Sequence, residues 1–162
     1  MTYQQRLRRV ALIKAVVAAA FLLIVAFTLR HPVSLIVSLA DLGLIPFFVW
    51  LAGRHPRAAT YGLVLETALA LTPRQFVQGY VNGVNWPIYI VLPLIAGYVL
   101  REGRAALVSA ALVALIAVPA MLVAALALPA GATRADVLSL AAFVIGLMLA
   151  TALVARDLSQ RD

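Results

Sequence analysis

The sequence predicts an all-α integral membrane protein, a bundle of six transmembrane helices joined by short loops. Of its 162 residues, 65% are hydrophobic and 12% are charged, whereas apolar residues make up about half of a soluble domain. The apolar residues fall into six runs within a single domain. Basic residues cluster between the runs, as in a chain threaded through a bilayer.

The first run, 10–29, follows Arg6, Arg8 and Arg9 and ends at Arg30. A signal peptide has an apolar core of about 7–15 residues and a small-residue cleavage site. This run is longer and has no such site, so we expect a retained transmembrane helix. The second run, 33–52, is also long enough to cross a bilayer.

The remaining predicted spans are 58–73, 87–100, 105–129 and 137–155. The third and fourth spans are short for a crossing, so one of them is expected to be tilted, broken or re-entrant. Pro46, Pro93 and Pro119 lie inside predicted helices, where each removes an amide donor and favours a kink.

Charge asymmetry predicts the orientation of the bundle. Alternating spans place ten basic residues on one side and three on the other. The positive-inside bias then puts both termini in the cytoplasm, and we expect a multi-pass protein of the bacterial cytoplasmic (inner) membrane. The ten are Arg6, Arg8, Arg9, Lys14, Arg54, Arg57, Arg101, Arg104, Arg156 and Arg161, and the three are Arg30, Arg74 and Arg134.

Two acidic residues, Asp41 and Glu66, lie near the middle of the second and third runs. A carboxylate inside a transmembrane segment costs a few kcal/mol, so its presence indicates a function or a specific partner. A tight turn near Arg54 would bring both acids to the same depth, where they could share a proton or bind a cation. The alternative is that each acid is protonated, or hydrogen-bonded to Ser38, Thr67 or a neighbouring helix, and only fixes helix register.

Two other residues, Pro46 and Lys14, affect the interpretation of these two acids. Pro46 frees the carbonyl of Leu42 beside Asp41, which favours a water or a cation there. Lys14 lies in the first run, and we interpret it as a lysine that extends to the interface rather than as the counter-ion of the acids.

A polar and aromatic segment, 75–87, is predicted on the outer side. Amides and a phenol beside an indole could line a pocket for a small amphipathic or aromatic ligand. We favour the simpler interpretation of an aromatic belt with glycine turns. The pocket candidates are Gln78, Tyr80, Asn82, Asn85 and Trp86.

No pattern in the sequence indicates catalysis. The chain has no cysteine, and nothing resembles a nucleophile with its base or a phosphate-binding loop. His31 and His55 sit at predicted helix ends, each before a proline, and no metal-binding motif accompanies them. We expect no enzyme activity and no metal site, and the sequence does not identify a cofactor.

Small residues repeat at every fourth position in the last two runs, which permits close helix packing. The repeats are Ala106, Ala110 and Ala114, and Ala142, Gly146 and Ala150. We expect them mainly to pack inside the bundle, with a protein partner or a homo-oligomer as the alternative. The other expected partner is the lipid bilayer, and no nucleic acid is expected.

The stretch WPIYIVLPLIAGYVLREGR, followed by AALVSAALVALIA, resembles the middle hairpin of the six-helix sensory regions at the N-termini of bacterial histidine kinases and diguanylate cyclases. The exit LVARDLSQ is similar to the point where such regions pass into their signalling helix. The resemblance implies a membrane sensory or signal-relay module. No phosphoacceptor helix, ATP-binding domain or cyclase domain is present up to Asp162, so signalling would need an effector elsewhere.

Two other functions remain open. One is an accessory subunit of a larger electron-transfer, photosynthetic or transport complex. The other is a substrate-binding subunit of a transporter, because the small six-helix subunits of vitamin transporters have a similar length. The membrane protein of the bacterial cell-shape machinery also has a similar length, and a resemblance to it stays open as well.

Overall fold

The fold is described from a computed structural model, which covers residues 2–24, 26–27, 32–78, 86–126 and 134–159. Within these ranges every regular element is an α-helix. There are six, and the side chains of some residues at helix ends are not described. The helices are α1 Tyr3–Ile24, α2 Pro32–Leu51, α3 Pro56–Gln78, α4 Trp86–Leu100, α5 Gly103–Leu126 and α6 Arg134–Ser159.

Three of the helical segments are long and apolar enough to cross a membrane: Pro32–Leu51, Gly103–Val123 and Leu138–Asp157. Ile88–Leu100 is apolar but shorter. The all-helical fold is therefore confirmed, together with three candidate membrane-spanning helices in the described part of the chain.

The helices begin or end beyond several of the predicted runs, because charged and polar residues extend them. α1 begins at Tyr3, seven residues before the predicted span at 10, since Gln4 to Arg9 are good helix formers. α3 continues through Pro73 to Gln78. Its predicted span ended at 73, where the hydrophobicity falls.

Two apolar cores hold the helices together. The larger joins α3, α4, α5 and α6 around Tyr89, Val113, Val144 and Met148, each of which is almost fully buried. The smaller joins α1, α2, α3 and the end of α4 around Leu7, Phe48, Leu63 and Val99. α3 contributes to both, so it forms the centre of the bundle, while α1 packs chiefly on α2.

α2 and α3 form an antiparallel hairpin whose turn follows Leu51 directly. The amides of Arg54 and His55 both donate to the carbonyl of Leu51, at 3.0 and 2.8 Å. The two helices approach closely at Gly62, where an added Cβ would lie 2.6 Å from Cε1 of Phe48. An alanine at this position would therefore require the Phe48 ring to move.

The polar start of α1 docks on the ends of two other helices. The hydroxyl of Tyr3 donates to the carbonyl of Pro56 at 2.7 Å and lies 3.1 Å from Oγ1 of Thr60. Burial raises the pKa of the Tyr3 phenol. Nε of Arg6 donates to the carbonyl of Val99 at 3.0 Å, in the last turn of α4. Arg6 is therefore a buried C-terminal cap as well as a member of the basic cluster.

Prolines lie inside four helices. In α4, hydroxyl groups from neighbouring helices donate hydrogen bonds to backbone carbonyls close to the proline. Pro46, Pro93 and Pro119 are intrahelical as expected, and Pro73 is a fourth. Just before Pro93, Thr151 of α6 donates to the carbonyl of Ile90 at 3.1 Å and Ser109 of α5 donates to the carbonyl of Leu92 at 3.5 Å. Such donors satisfy backbone groups that a proline disturbs.

The two small-residue repeats face different surroundings. In α5, Ala106 and Ala110 are buried in the larger core, as expected for packing inside one chain. In α6, Ala142, Gly146 and Ala150 are exposed, and nothing lies within 4 Å of a Cβ added at Gly146. The expectation of packing inside the bundle is wrong for α6, because the buried face of this helix carries Val144, Met148 and Ala152.

Candidate functional site

The acidic residue of α2 lies on the buried face of that helix. Ser34, Ser38 and Asp41 share this face because they are three or four residues apart, and all three are buried. Ser38 Oγ donates to the carbonyl of Ser34 at 2.7 Å, the usual way a serine satisfies itself inside a helix. The third member, Asp41, faces α1 and α3.

A single ammonium group lies between the two acids. Nζ of Lys14, from α1, is 2.8 Å from Oδ1 of Asp41 and also contacts Oε2 of Glu66, from α3. The side chains of Lys14, Asp41 and Glu66 are only 12%, 6% and 11% exposed. We call these three residues the charged triad.

The interpretation of Lys14 as an interfacial lysine is therefore wrong, and the physical reason is depth. Lys14 lies eleven residues after the start of α1, Asp41 lies ten before the end of α2, and Glu66 lies ten after the start of α3. At about 1.5 Å per residue, all three are about 15–17 Å from the same end of the bundle. Because α1 begins at Tyr3 rather than near residue 10, Lys14 is level with the two acids along the bundle, and its ammonium group points inward to them.

The triad is unbalanced in charge when both acids are ionised. Two carboxylates and one ammonium give a net charge of −1 in surroundings that are mostly apolar. One proton or one monovalent cation would bring the net charge to zero. Since the three charges come from three helices, any change in that balance acts on the packing of α1, α2 and α3 together.

A cavity of about 570 Å³ adjoins the triad between α1, α3 and α4. Its polar wall consists of Lys14, Asp41 and Thr67, and the rest of its lining is apolar. Thr67 Oγ1 donates to the carbonyl of Leu63 at 2.7 Å. The cavity reaches Lys14 and Asp41, so there is space beside the triad for a water or a small cation.

The chain matches no family model, no curated protein and no solved structure. Its function is therefore inferred from the geometry of the charged triad and from the surfaces of the bundle.

The candidate pocket on the outer segment stays a prediction. Tyr80, Asn82 and Asn85 lie outside the described residues. Gln78 ends α3 and Trp86 begins α4, but the description does not extend to their side chains.

Of the two histidines, His55 is exposed in the turn between α2 and α3, and its carbonyl accepts from the amide of Ala59 at 2.9 Å. His31 lies outside the described residues. Within the described ranges, no cluster of three or more histidine or acidic side chains is suited to hold a metal ion.

Proposed function

We propose that this protein is a membrane-embedded sensory or signal-relay module whose charged triad responds to uptake of a proton or a monovalent cation. The observation that carries the proposal is the single ammonium of Lys14 between the carboxylates of Asp41 and Glu66. Lys14 follows the exposed Arg8 and Arg9 by about 8–9 Å of helix, so the triad lies within the hydrocarbon core, nearer to the end where α1 begins.

The proposed signal is a change in how firmly α1 is held. With both acids ionised, the excess negative charge is costly at this depth, and neutralising it by one charge stabilises the three-helix cluster. α1 packs mainly on α2 and contributes little to the larger core. It is therefore the helix whose position the triad controls most directly, and its polar first turns would carry the change to a partner.

The proposal includes six crossings of a bacterial inner membrane with both termini in the cytoplasm. Ten basic residues against three support this sidedness. Three of the helical segments are apolar and long enough to cross on their own. The other three helices, α1, α3 and α4, cross as part of the bundle, where the triad pairs the internal charges of α1 and α3 and the short α4 carries none.

The test is the pH and cation dependence of unfolding in detergent. If the folded triad holds one more proton than the unfolded chain, wild-type stability falls as pH rises, by up to about 1.4 kcal/mol per pH unit. Asp41→Asn and Glu66→Gln each leave one acid balanced by Lys14, so both variants should lose most of this slope.

Glu102→Gln is the matched control, because among the described residues Glu102 forms its ion pair with Arg57 at the surface, at 2.8 Å. This variant should keep the wild-type dependence of the free energy of unfolding on pH. Sodium and potassium should be compared with choline at constant ionic strength, since only a bound small cation distinguishes them. Identical pH and cation profiles for the wild type and both triad variants would refute the proposal.

A second function, an accessory subunit of a larger membrane complex, is favoured by the outward small-residue face of α6. Ala142, Gly146 and Ala150 leave an open strip along which another helix backbone could pack closely. Gentle purification should then retain a stoichiometric partner or a second copy, and Gly146→Leu should release it. A monomer that purifies alone at all detergent concentrations would count against this function.

A further inference from the structure

A groove separate from the charged triad runs between the first half of α1 and the last half of α2. Its volume is about 600 Å³, within the range of about 300–1,000 Å³ typical of ligand sites. Small residues create the space, because Ala11 and Ala15 on α1 face the end of α2. Its apolar wall is formed by Leu7, Ala11, Leu12, Ala15, Ile45, Pro46 and Val49.

The polar rim of the groove lies at the end where α1 begins and α2 ends. Gln4 and Arg8 line it from α1, and Trp50 lines it from α2. The guanidinium of Arg54 lies over the Trp50 ring, 4.8 Å from its centroid. The groove is thus apolar along its length and cationic and aromatic at one end.

The positive charge at this rim is not neutralised within the described part of the chain. No acidic residue lines the groove. Arg57 pairs with Glu102 and Arg6 caps α4, whereas Arg8 is exposed and forms no ion pair with any residue that the structure describes. The rim therefore carries positive charge without an acidic partner among the described residues.

We propose that this groove binds one anionic glycerophospholipid, with its phosphate between Arg8 and Arg54 and an acyl chain along the wall of Ala11 and Ala15. Guanidinium groups bind phosphate oxygens through paired hydrogen bonds. An indole at this level is typical of the membrane interface. The proposal requires that the bundle is embedded in a membrane but does not depend on the triad.

The first test is native mass spectrometry of the full chain purified in detergent with phosphatidylglycerol or phosphatidylcholine of identical acyl chains. The wild type should retain phosphatidylglycerol preferentially. Arg8→Gln and Arg54→Gln should each lower its retention about fivefold, with little effect on phosphatidylcholine. Ala15→Leu narrows the groove and should lower the retention of both lipids.

Arg9→Gln is the matched control, because Arg9 is the exposed neighbour of Arg8 and does not line the groove. It should change retention by less than twofold. Equal losses for Arg8→Gln and Arg9→Gln would show a general attraction to the basic end and overturn the site. Equal retention of the two lipids, or no effect of Ala15→Leu, would also overturn it.

A second measurement uses the two tryptophans of the chain. In a Trp86→Phe background, brominated phosphatidylglycerol should quench Trp50. Excess unbrominated phosphatidylglycerol should restore the fluorescence, and excess phosphatidylcholine should not. Restoration by both lipids would overturn the proposal. The pH response of the triad is measured without added lipid, so the two proposals fail separately.

Discussion

Lys14 shows what a single buried charge contributes to this molecule. Its ammonium group contacts carboxylates from two other helices, and none of the three side chains is more than 12% exposed. The sequence indicated Asp41 and Glu66 as a pair, because each interrupts an apolar run at a similar distance from the turn between them. It did not indicate Lys14, since hydrophobicity alone places the start of α1 too late. Counting back to Tyr3 as the first helical residue would have found it.

Arg6 is the other residue whose role the sequence did not show. A cluster of arginines before an apolar run indicates orientation, and nothing in the pattern separates the buried Arg6 from the exposed Arg8 and Arg9. Only the packing of α1 against the end of α4 places its Nε on the carbonyl of Val99.

Arg6→Gln should therefore lower stability where Arg9→Gln does not. The glutamine is too short to cap Val99, and loss of a hydrogen bond from a charged donor costs about 1.5–3 kcal/mol. Arg9 is exposed, and surface substitutions are usually within about 0.5 kcal/mol of neutral. Thermal unfolding of both variants in one detergent compares them. Equal midpoints would show that the cap contributes nothing.

At the scale of elements, the antiparallel α2–α3 hairpin is the part of the fold that the sequence predicted most completely. Its boundaries lie within a few residues of those expected at the turn, because Gly53 and Pro56 punctuate two long apolar runs. The close approach at Gly62 was not predictable, since it depends on which face of α2 presents Phe48. For the same reason, the buried repeat of α5 and the exposed repeat of α6 are equivalent in sequence and different in the structure.

Gly62→Ala and Gly146→Ala are a matched pair of helix substitutions that test these contacts. At Gly62 the new methyl group meets the Phe48 ring, and overpacking of this kind typically costs about 1–3 kcal/mol. At Gly146 it meets nothing within 4 Å, so the higher helix propensity of alanine should stabilise by about 0.5–1 kcal/mol.

Unfolding midpoints of the two variants should move in opposite directions from the wild type. The close approach of α2 and α3 would be disproved by a Gly62→Ala protein as stable as Gly146→Ala.

At the scale of the whole molecule, the buried charges lie apart from the larger apolar core. The triad lies on α1 to α3, the groove lies between α1 and α2, and the cap joins α1 to the end of α4, whereas the larger core is centred on α4 to α6 with one face of α3. Composition predicted the helical class of the bundle. It could not predict this division, which arises from tertiary packing of similar apolar runs.

The proposed topology can be tested by single-cysteine labelling, because the natural chain contains no cysteine. With six crossings, Thr2→Cys, His55→Cys and Arg104→Cys lie on one side, and Gly83→Cys and Gly131→Cys lie on the other. A membrane-impermeant maleimide applied to intact cells should label only the second group. Labelling of Thr2→Cys together with Gly83→Cys would refute three crossings between these residues and, with them, the six-crossing topology.

The shared depth of Lys14, Asp41 and Glu66 also bears on biosynthesis. α1 leaves the ribosome before α2 and α3 have been made, so its lysine has no carboxylate to meet at the moment it reaches the lipid. In the proposed topology, the least costly course is for α1 to wait beside the insertion machinery until α2 brings Asp41, and for the two to partition together. Truncated nascent chains that end before Asp41 should consequently remain extractable longer than chains in which Asp41 has left the ribosome.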